Sequence, residues 1–242
     1  MLLRAVTYNV HKCRGLDGRA DEKRIAAVLR EVNPSVAALQ EVLEPQAEYF
    51  SAELGMHSAF GVTRIYRRHA YGNLVLSRLP VLAARAYDLS VGGREERGCL
   101  RADLQLESSA LLHIFNVHLG TALIERRHQG RELVSPRLLN DIEIQAPRLV
   151  LGDFNEWTRG LATRLLRSQL RSADVRLYLK HSRTYPGLLP LLHLDHIYYD
   201  PALRLRGLTL HRTPKALIAS DHLPLVADFA VMEGVQKEKG SK

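Results

Sequence analysis

The order of apolar segments predicts an α/β fold with a substantial antiparallel component. Three observations lead there: a strand–helix–strand opening, a strand-rich middle, and a closing run of short strands behind further helices. Residues 2–10 read as a strand, and Ile25, Val28, Leu29 and Val32 then recur at helical spacing after Asp21, a suitable N-cap. Asn33-Pro34 stops that helix, since proline drives the preceding residue out of the helical region. Residues 36–39 are continuously apolar, as in a strand covered on both faces, and Gln40-Glu41 sits where it emerges.

Strands are expected over 73–77, 81–89, 98–106 and 111–118, separated by Arg78-Leu79-Pro80, Gly92-Gly93 and Glu107-Ser108-Ser109. A helix over 122–139 must be kinked or divided by Pro136. A buried strand at 148–152, a helix at 161–170 and strands at 194–199, 203–210 and 223–231 complete the reading. No internal repeat, low-complexity segment or linker marks a second domain, so one domain over 1–232 is expected, with a polar, disordered tail at 233–242.

Composition narrows the class. With 46% hydrophobic and 25% charged residues, the 242-residue chain is neither disordered, collagenous nor a disulfide scaffold. Cys13 and Cys99 fit no CxxC pattern, which removes zinc knuckles and redox motifs and suggests a reducing compartment. The first residues enter a strand without the features of a signal peptide, and no run approaches the roughly 20 apolar residues that span a bilayer. A cytoplasmic protein without membrane insertion is the expectation, and no protein partner is predicted. The net charge of +8 suits an anionic partner, nucleic acid among them, although basic residues such as Arg64, Arg67, Arg68, Arg126 and Arg127 form no long run and suit a solvated surface equally well.

The chemistry gathers at predicted strand ends. Asn9 and His11, Glu41, Asn116 and His118, Asp153 and Asn155, Asp195 and His196, and Asp221 and His222 all lie at what read as carboxyl ends of strands, the edge where α/β sheets bind ligands. One acid at a strand end is commonly a turn residue; independent turns have no reason to favour amides, histidines and acids together. Carboxylates with amides and no thiolates suit a hard cation, magnesium or manganese. A cation on phosphoryl oxygens, a carboxylate to orient water and a histidine beside the phosphate are the parts of phosphoester hydrolysis. Neither GxxxxGK[ST] nor GxSxG is present, so ATPase and serine-hydrolase readings lack their motifs.

Thr7-Tyr8-Asn9-Val10-His11, Leu39-Gln40-Glu41-Val42, Asn116-Val117-His118-Leu119, Leu151-Gly152-Asp153-Phe154-Asn155, Leu194-Asp195-His196-Ile197 and Ser220-Asp221-His222-Leu223-Pro224 resemble, in order, the motifs of the endonuclease/exonuclease/phosphatase superfamily. The opening TYNVHK and Arg183-Thr184-Tyr185-Pro186 look like its small stand-alone bacterial members. The resemblance implies a four-layer α-β-β-α sandwich of two mixed sheets with helices outside, and a metal-dependent phosphodiesterase or nuclease using Mg2+ or Mn2+ on a phosphate-ester substrate. It implies that Glu41 is the principal metal carboxylate, with Asn9 and Asp221 completing or supporting the site. Asp153 resembles the carboxylate that orients or activates water, Asn155 an amide on the phosphate, and His222 the histidine at the scissile phosphate, as base or cation, with Asp195 holding its ring. His118 resembles the second histidine of the deoxyribonuclease, sphingomyelinase and inositol-phosphatase branches, which shifts weight away from abasic-site repair.

Four further positions are weaker candidates for support or substrate contact: His11, Glu96 as an acid orienting His118, Arg97 and Asn73. His196 reads as support behind the site or as packing. A phosphatase or a lipid or sugar-phosphate diesterase is the alternative within the same chemistry, since only 6% of residues are aromatic and no stacking surface is evident. An inactive scaffold is the alternative of another class, and the intact set of acids and histidines argues against it.

Overall fold

The computed structural model describes residues 1–108, 110–144, 147–156, 160–173, 184–185 and 192–232. The expected tail at 233–242 lies outside the described residues, as do Arg183 and Pro186. The chain forms β1 (Leu2–Asn9), a tight turn at His11–Cys13, α1 (Glu22–Val32), β2 (Val36–Leu43), α2 (Glu44–Leu54), β3 (His57–Tyr66), β4 (His69–Ser77), β5 (Val81–Asp88) and β6 (Gly98–Gln105). Then follow β7 (Leu111–His118), α3 (Leu123–Leu133), β8 (Arg148–Asp153), α4 (Leu161–Arg167), β9 (Arg171–Ser172), β10 (Asp195–Tyr199), β11 (Leu203–Leu210), α5 (Pro214–Ala219) and β12 (Leu225–Val231).

Two six-stranded mixed sheets result, in the orders β11-β12-β1-β2-β4-β3 and β5-β6-β7-β8-β10-β9. Each holds one parallel pair, β1 with β2 and β7 with β8, and each pair is joined across a helix. Parallel neighbours cannot be joined by a tight turn, so α1 and α3 are forced onto the outer faces. Leu3, Ala5, Val36, Ala38, Leu100, Ala102, Ile114, Leu149, Leu151, Ile197, Ala227 and Phe229 fill the seam between the sheets. Ile25, Leu29 and Phe50 pack α1 and α2 on one outer face, while Leu133, Ala162 and Leu166 pack α3 and α4 on the other. This is the expected four-layer sandwich.

Asp21 caps α1 by accepting from the Lys23 N–H, and Asn33 ends it in the left-handed conformation. Sequence patterning left residues 42–72 unassigned, although α2, β3 and the start of β4 lie there. α2 buries only Gln46, Ala47 and Phe50, and β3 is an edge strand with much of its length exposed, so neither carries a full apolar stripe. α3 ends at Leu133, short of Pro136. Its sequence is polar because Glu125, Arg126 and Gln129 are buried and work as braces: Gln129 accepts from the Gly120 N–H and donates to the Leu89 carbonyl. α5 is too short for periodicity to reveal.

Three edge strands, β3, β5 and β11, each carry one extra residue relative to their neighbours, at Thr63, Leu82 and Arg206, and the fourth edge, β9, is two residues long. A further bulge in β2, between Leu39 and Val42, interrupts its pairing with β4. Gly152 has φ +156°, and a Cβ there would lie 1.9 Å from the Val117 carbonyl oxygen, so the close passage of β8 beside β7 requires glycine.

The seam is apolar except near one end, where it is cross-linked. Asn116 on β7 donates to the carbonyls of Leu39 on β2 and Leu74 on β4, at 2.8 and 2.9 Å, and accepts from Gln40 at 2.7 Å. Asn73 on β4 donates back to the carbonyls of Gly98 and Asn116. All three side chains are buried, so every partner lost would stay unsatisfied away from water. Asn73 is therefore a stitch between the sheets. We expect Asn116→Leu to lower the unfolding free energy by about 2–4 kcal/mol, the penalty for stranding several buried polar groups, as read from urea denaturation.

Candidate active site

Period-two alternation carries the seam face of each strand from apolar to polar residues at one edge: Leu3-Ala5-Thr7-Asn9 on β1, Ile114-Asn116-His118 on β7, Leu149-Leu151-Asp153 on β8. Asp195 opens β10, which is antiparallel to β8, and Asp221-His222 precede β12, which is antiparallel to β1. These three residues reach the common edge from the amino ends of their strands, correcting the expectation that every cluster sits at a carboxyl end.

Asp153 is the centre. Its Oδ2 accepts from the Asn9 amide at 3.1 Å and lies 3.6 Å from His222 Nε2 and 3.8 Å from His118 Nε2. Its Oδ1 accepts from the Asn155 N–H, and Asn155, with φ +48°, donates its amide to the Leu119 carbonyl, tying the loop after β8 to the end of β7. Asp153, His118 and His222 are nearly completely buried. Asp195, wholly buried, accepts from His222 Nδ1 at 3.0 Å, while its Oδ1 has no hydrogen-bond partner among the described residues. Ser220 places His222 by accepting from the His222 N–H and donating to the Asn9 carbonyl.

The two histidines are held in opposite charge states. Burial works against a charge on His222, but Asp195, Asp153 and Asp221 outweigh it and raise its pKa to about 10. Burial and then the Arg97 guanidinium lower that of His118 to about 4, against the pull of Asp153 and Glu41. Arg97 Nη1 is 3.1 and 3.3 Å from the two ring nitrogens of His118, so it lies against the ring and not along either N–H direction. Arg97 is in turn held by Glu95. Glu96 is exposed, so Arg97, with Glu95 behind it, takes the place beside His118 expected for Glu96.

Glu41 and Asp221 form the more open side. The β2 bulge puts Glu41 at φ +59° and re-aims a side chain that would otherwise share the Leu39 face. Glu41 accepts from Asn9 at 3.1 Å and pairs with Lys12 at 2.5 Å. Burial opposes its ionisation, but the surrounding positive charge and the bonds from Lys12 and Asn9 prevail and hold it ionised well below the usual range. Asp221, with burial similarly overcome by His11 and His222, pairs with His11 Nδ1 at 3.3 Å. His11, Lys12 and Cys13 all have positive φ, a left-handed turn that presents His11 and Lys12 to the two carboxylates. Cys13 and Cys99 are buried and free, and burial pushes both thiols up, which leaves neither as a reactive thiolate.

Asn9 uses its Oδ1 on the His11 N–H and its amide protons on Glu41 and Asp153, so it braces the carboxylates from both sides. Among the described residues no three acid, histidine or cysteine side chains form a metal cage. Two oxygen donors at an open edge still fit a magnesium-type ion, which keeps several waters and shares substrate phosphate oxygens. Tyr185 escaped functional reading in the sequence; its ring lies 4.9 Å from that of His222. His196 packs on Phe154 and bonds the Glu156 carbonyl, as expected of a packing residue.

The model of the endonuclease/exonuclease/phosphatase family matches residues 6–222, enclosing all of these side chains. The chain belongs to that family. It is 30% identical over 246 residues to the uncharacterized protein YbhP of Escherichia coli K12, covering 93% of this chain and 95% of that protein. The fold is shared with a mannosyl-6-phosphatase of Bacteroides thetaiotaomicron, at TM-score 0.78 and 15% identity over 94% of this chain and 99% of that one. It is shared too with the catalytic domain of human Nocturnin with bound sulfate, at TM-score 0.75 and 22% identity over 95% and 94% of the two chains. Family membership makes the chain a phosphate-ester hydrolase by type.

The charge on His222 depends on Asp195. Its raised pKa makes the cation a stabilising feature of the fold below about pH 6.5, its unfolded value, and that contribution is lost as pH rises through about 10. Asp195→Asn should move the His222 titration down toward the ordinary imidazole value of about 6.5, as followed by NMR of the ring Cε1–H signal. A titration still near 10 would contradict the pairing.

Proposed function

We propose that this protein is a divalent-metal-dependent phosphodiesterase, with magnesium or manganese as the ion. The observation that carries the reading is the buried Asp153 carboxylate lying 3.6 and 3.8 Å from two histidines held in opposite charge states. Separating the pKa values of paired groups is how one site supplies both a cation and a proton acceptor at neutral pH. Glu41 and Asp221 would hold the ion, which when bound supplies positive charge to phosphoryl oxygens.

The remaining roles belong to the chain. Asp153, fixed through Asn9 and the Asn155 N–H, orients the attacking water and accepts its proton. His222, kept cationic by Asp195, stabilises the charge that develops on the phosphate. His118, kept neutral, would hydrogen-bond a phosphate oxygen or the leaving group, and the Asn155 amide, which has one N–H beyond its bond to the Leu119 carbonyl, would contact the phosphate. The proteins that share the fold include a mannosyl-6-phosphatase, so a monoesterase is the second reading. No helix among the described residues is long and apolar enough to cross a membrane. We read the protein as one domain over 1–232 acting in the cytoplasm.

Hydrolysis of bis(p-nitrophenyl) phosphate with magnesium or manganese should be abolished by EDTA and reduced by about 100-fold or more in Asp153→Ala, the scale of losing general acid–base catalysis. Asp195→Asn should lower kcat far more than it changes KM, because the His222 charge matters most where phosphate charge develops. Unchanged turnover in either variant would refute its assigned role.

A further inference from the structure

Beside the carboxylates lies a cation–aromatic strip that extends beyond the hydrolytic centre. Lys12 Nζ stands 5.9 and 5.7 Å from the ring centroids of Tyr66 and Tyr71. Arg64 lies over Tyr71 at 4.6 Å and Arg67 over Tyr66 at 5.4 Å. Arg64 and Arg97 divide one carboxylate between them, that of Glu95, at 2.5 and 2.7 Å. The buried Nε of each arginine has no hydrogen-bond partner among the described residues. The strip is continuous with the centre at two points, through Lys12 on Glu41 and Arg97 on His118. From there it runs along the β3–β4 hairpin to an exposed tip at Arg67 and Arg68, both at positive φ.

Among the described residues Lys12, Arg64 and Arg97 pair with two carboxylates, Glu41 and Glu95, and the Glu95 side chain is 44% exposed. A guanidinium pair short of acceptors and backed by aromatic faces matches a phosphate group, whose oxygens take forked N–H donors. We propose that Lys12, Arg64 and the hairpin tip form a subsite for a second, non-scissile phosphate, so that the preferred substrate carries two phosphates. The proposal rests on the reading of the centre as a phosphate-ester site, and it fixes the side from which a longer substrate enters.

The test is calorimetric binding to the Asp153→Ala protein with magnesium, using a thymidine dinucleotide without a terminal phosphate and its 5′- and 3′-phosphorylated forms. Glucose 1-phosphate and glucose 1,6-bisphosphate serve as the non-nucleotide pair. At least one second phosphate should tighten binding about tenfold, the worth of one charge-assisted hydrogen bond, and adding Arg64→Ala should erase that gain. Arg64→Lys, which keeps the charge but not the fork, should retain part of it. The pair showing the larger gain identifies the source of the phosphate. The salt slope of log K for the phosphorylated dinucleotide should fall by about 0.7 in Arg64→Ala, the value of one single-strand phosphate contact. Equal affinity within both pairs, or a gain that survives Arg64→Ala, overturns the subsite even if bis(p-nitrophenyl) phosphate is cleaved. A gain that Arg64→Ala removes upholds it even if that ester is not.

Discussion

The relative placement of the two sheets is the constraint on which everything else depends, and a handful of buried amides sets it. Apolar packing alone resists sliding only weakly, because neighbouring Val, Leu and Ala side chains offer similar contacts after a small shift. Asn116, Asn73 and Gln40 remove that freedom, since their partners are particular carbonyls on the opposite sheet. Glu41 and Asn9 belong to one sheet, while His118, Asp153 and Asp195 belong to the other. The bond between Asn9 and Asp153 crosses the same seam, so the hydrolytic centre is the last polar cross-link in a series that begins in the core.

Placing the polar layer at the edge of an otherwise dry seam also explains the electrostatics. His118 and His222 are deeply buried and are driven opposite ways: burial and the Arg97 guanidinium keep His118 neutral, while Asp195, Asp153 and Asp221 hold the charge on His222 against burial. Glu41 and Asp221 stand nearer solvent and are balanced by groups from one left-handed turn. The site is thus divided between a fixed, buried half suited to proton and charge handling and a more open half suited to an exchangeable cation.

Most of this was legible in the sequence. The ordered motifs located Asp153, Asp195, His222, Glu41 and Asp221, and the continuous apolar runs located the central strands, because a strand buried on both faces leaves a strong local signature. What escaped is set by long-range geometry. Arg97 beside His118, Lys12 beside Glu41 and Tyr185 beside His222 come together across sheets and loops, and nothing in their spacing announces it. The bracing role of Asn73 stays hidden in the sequence because an amide inside a sheet makes sense only once the opposing sheet is known. α3 was read too long and as an ordinary helix; its buried polar face serves loops, a use that hydropathy registers as noise. The low aromatic content hid a local concentration of tyrosine at one hairpin.

The edges of the sheets have a consequence for behaviour at high concentration. An open sandwich of this kind ends in four rows of unpaired backbone groups, each a template on which another molecule could add a strand. Three of those rows are broken by an inserted residue and the fourth is too short to template anything. Arg64 on β3, Arg85 on β5 and Arg204 and Arg206 on β11 add like charges along the same borders. Part of the excess positive charge therefore guards against fibrous self-association, and crowding this protein should bring its molecules into mutual repulsion before any edge can find a partner.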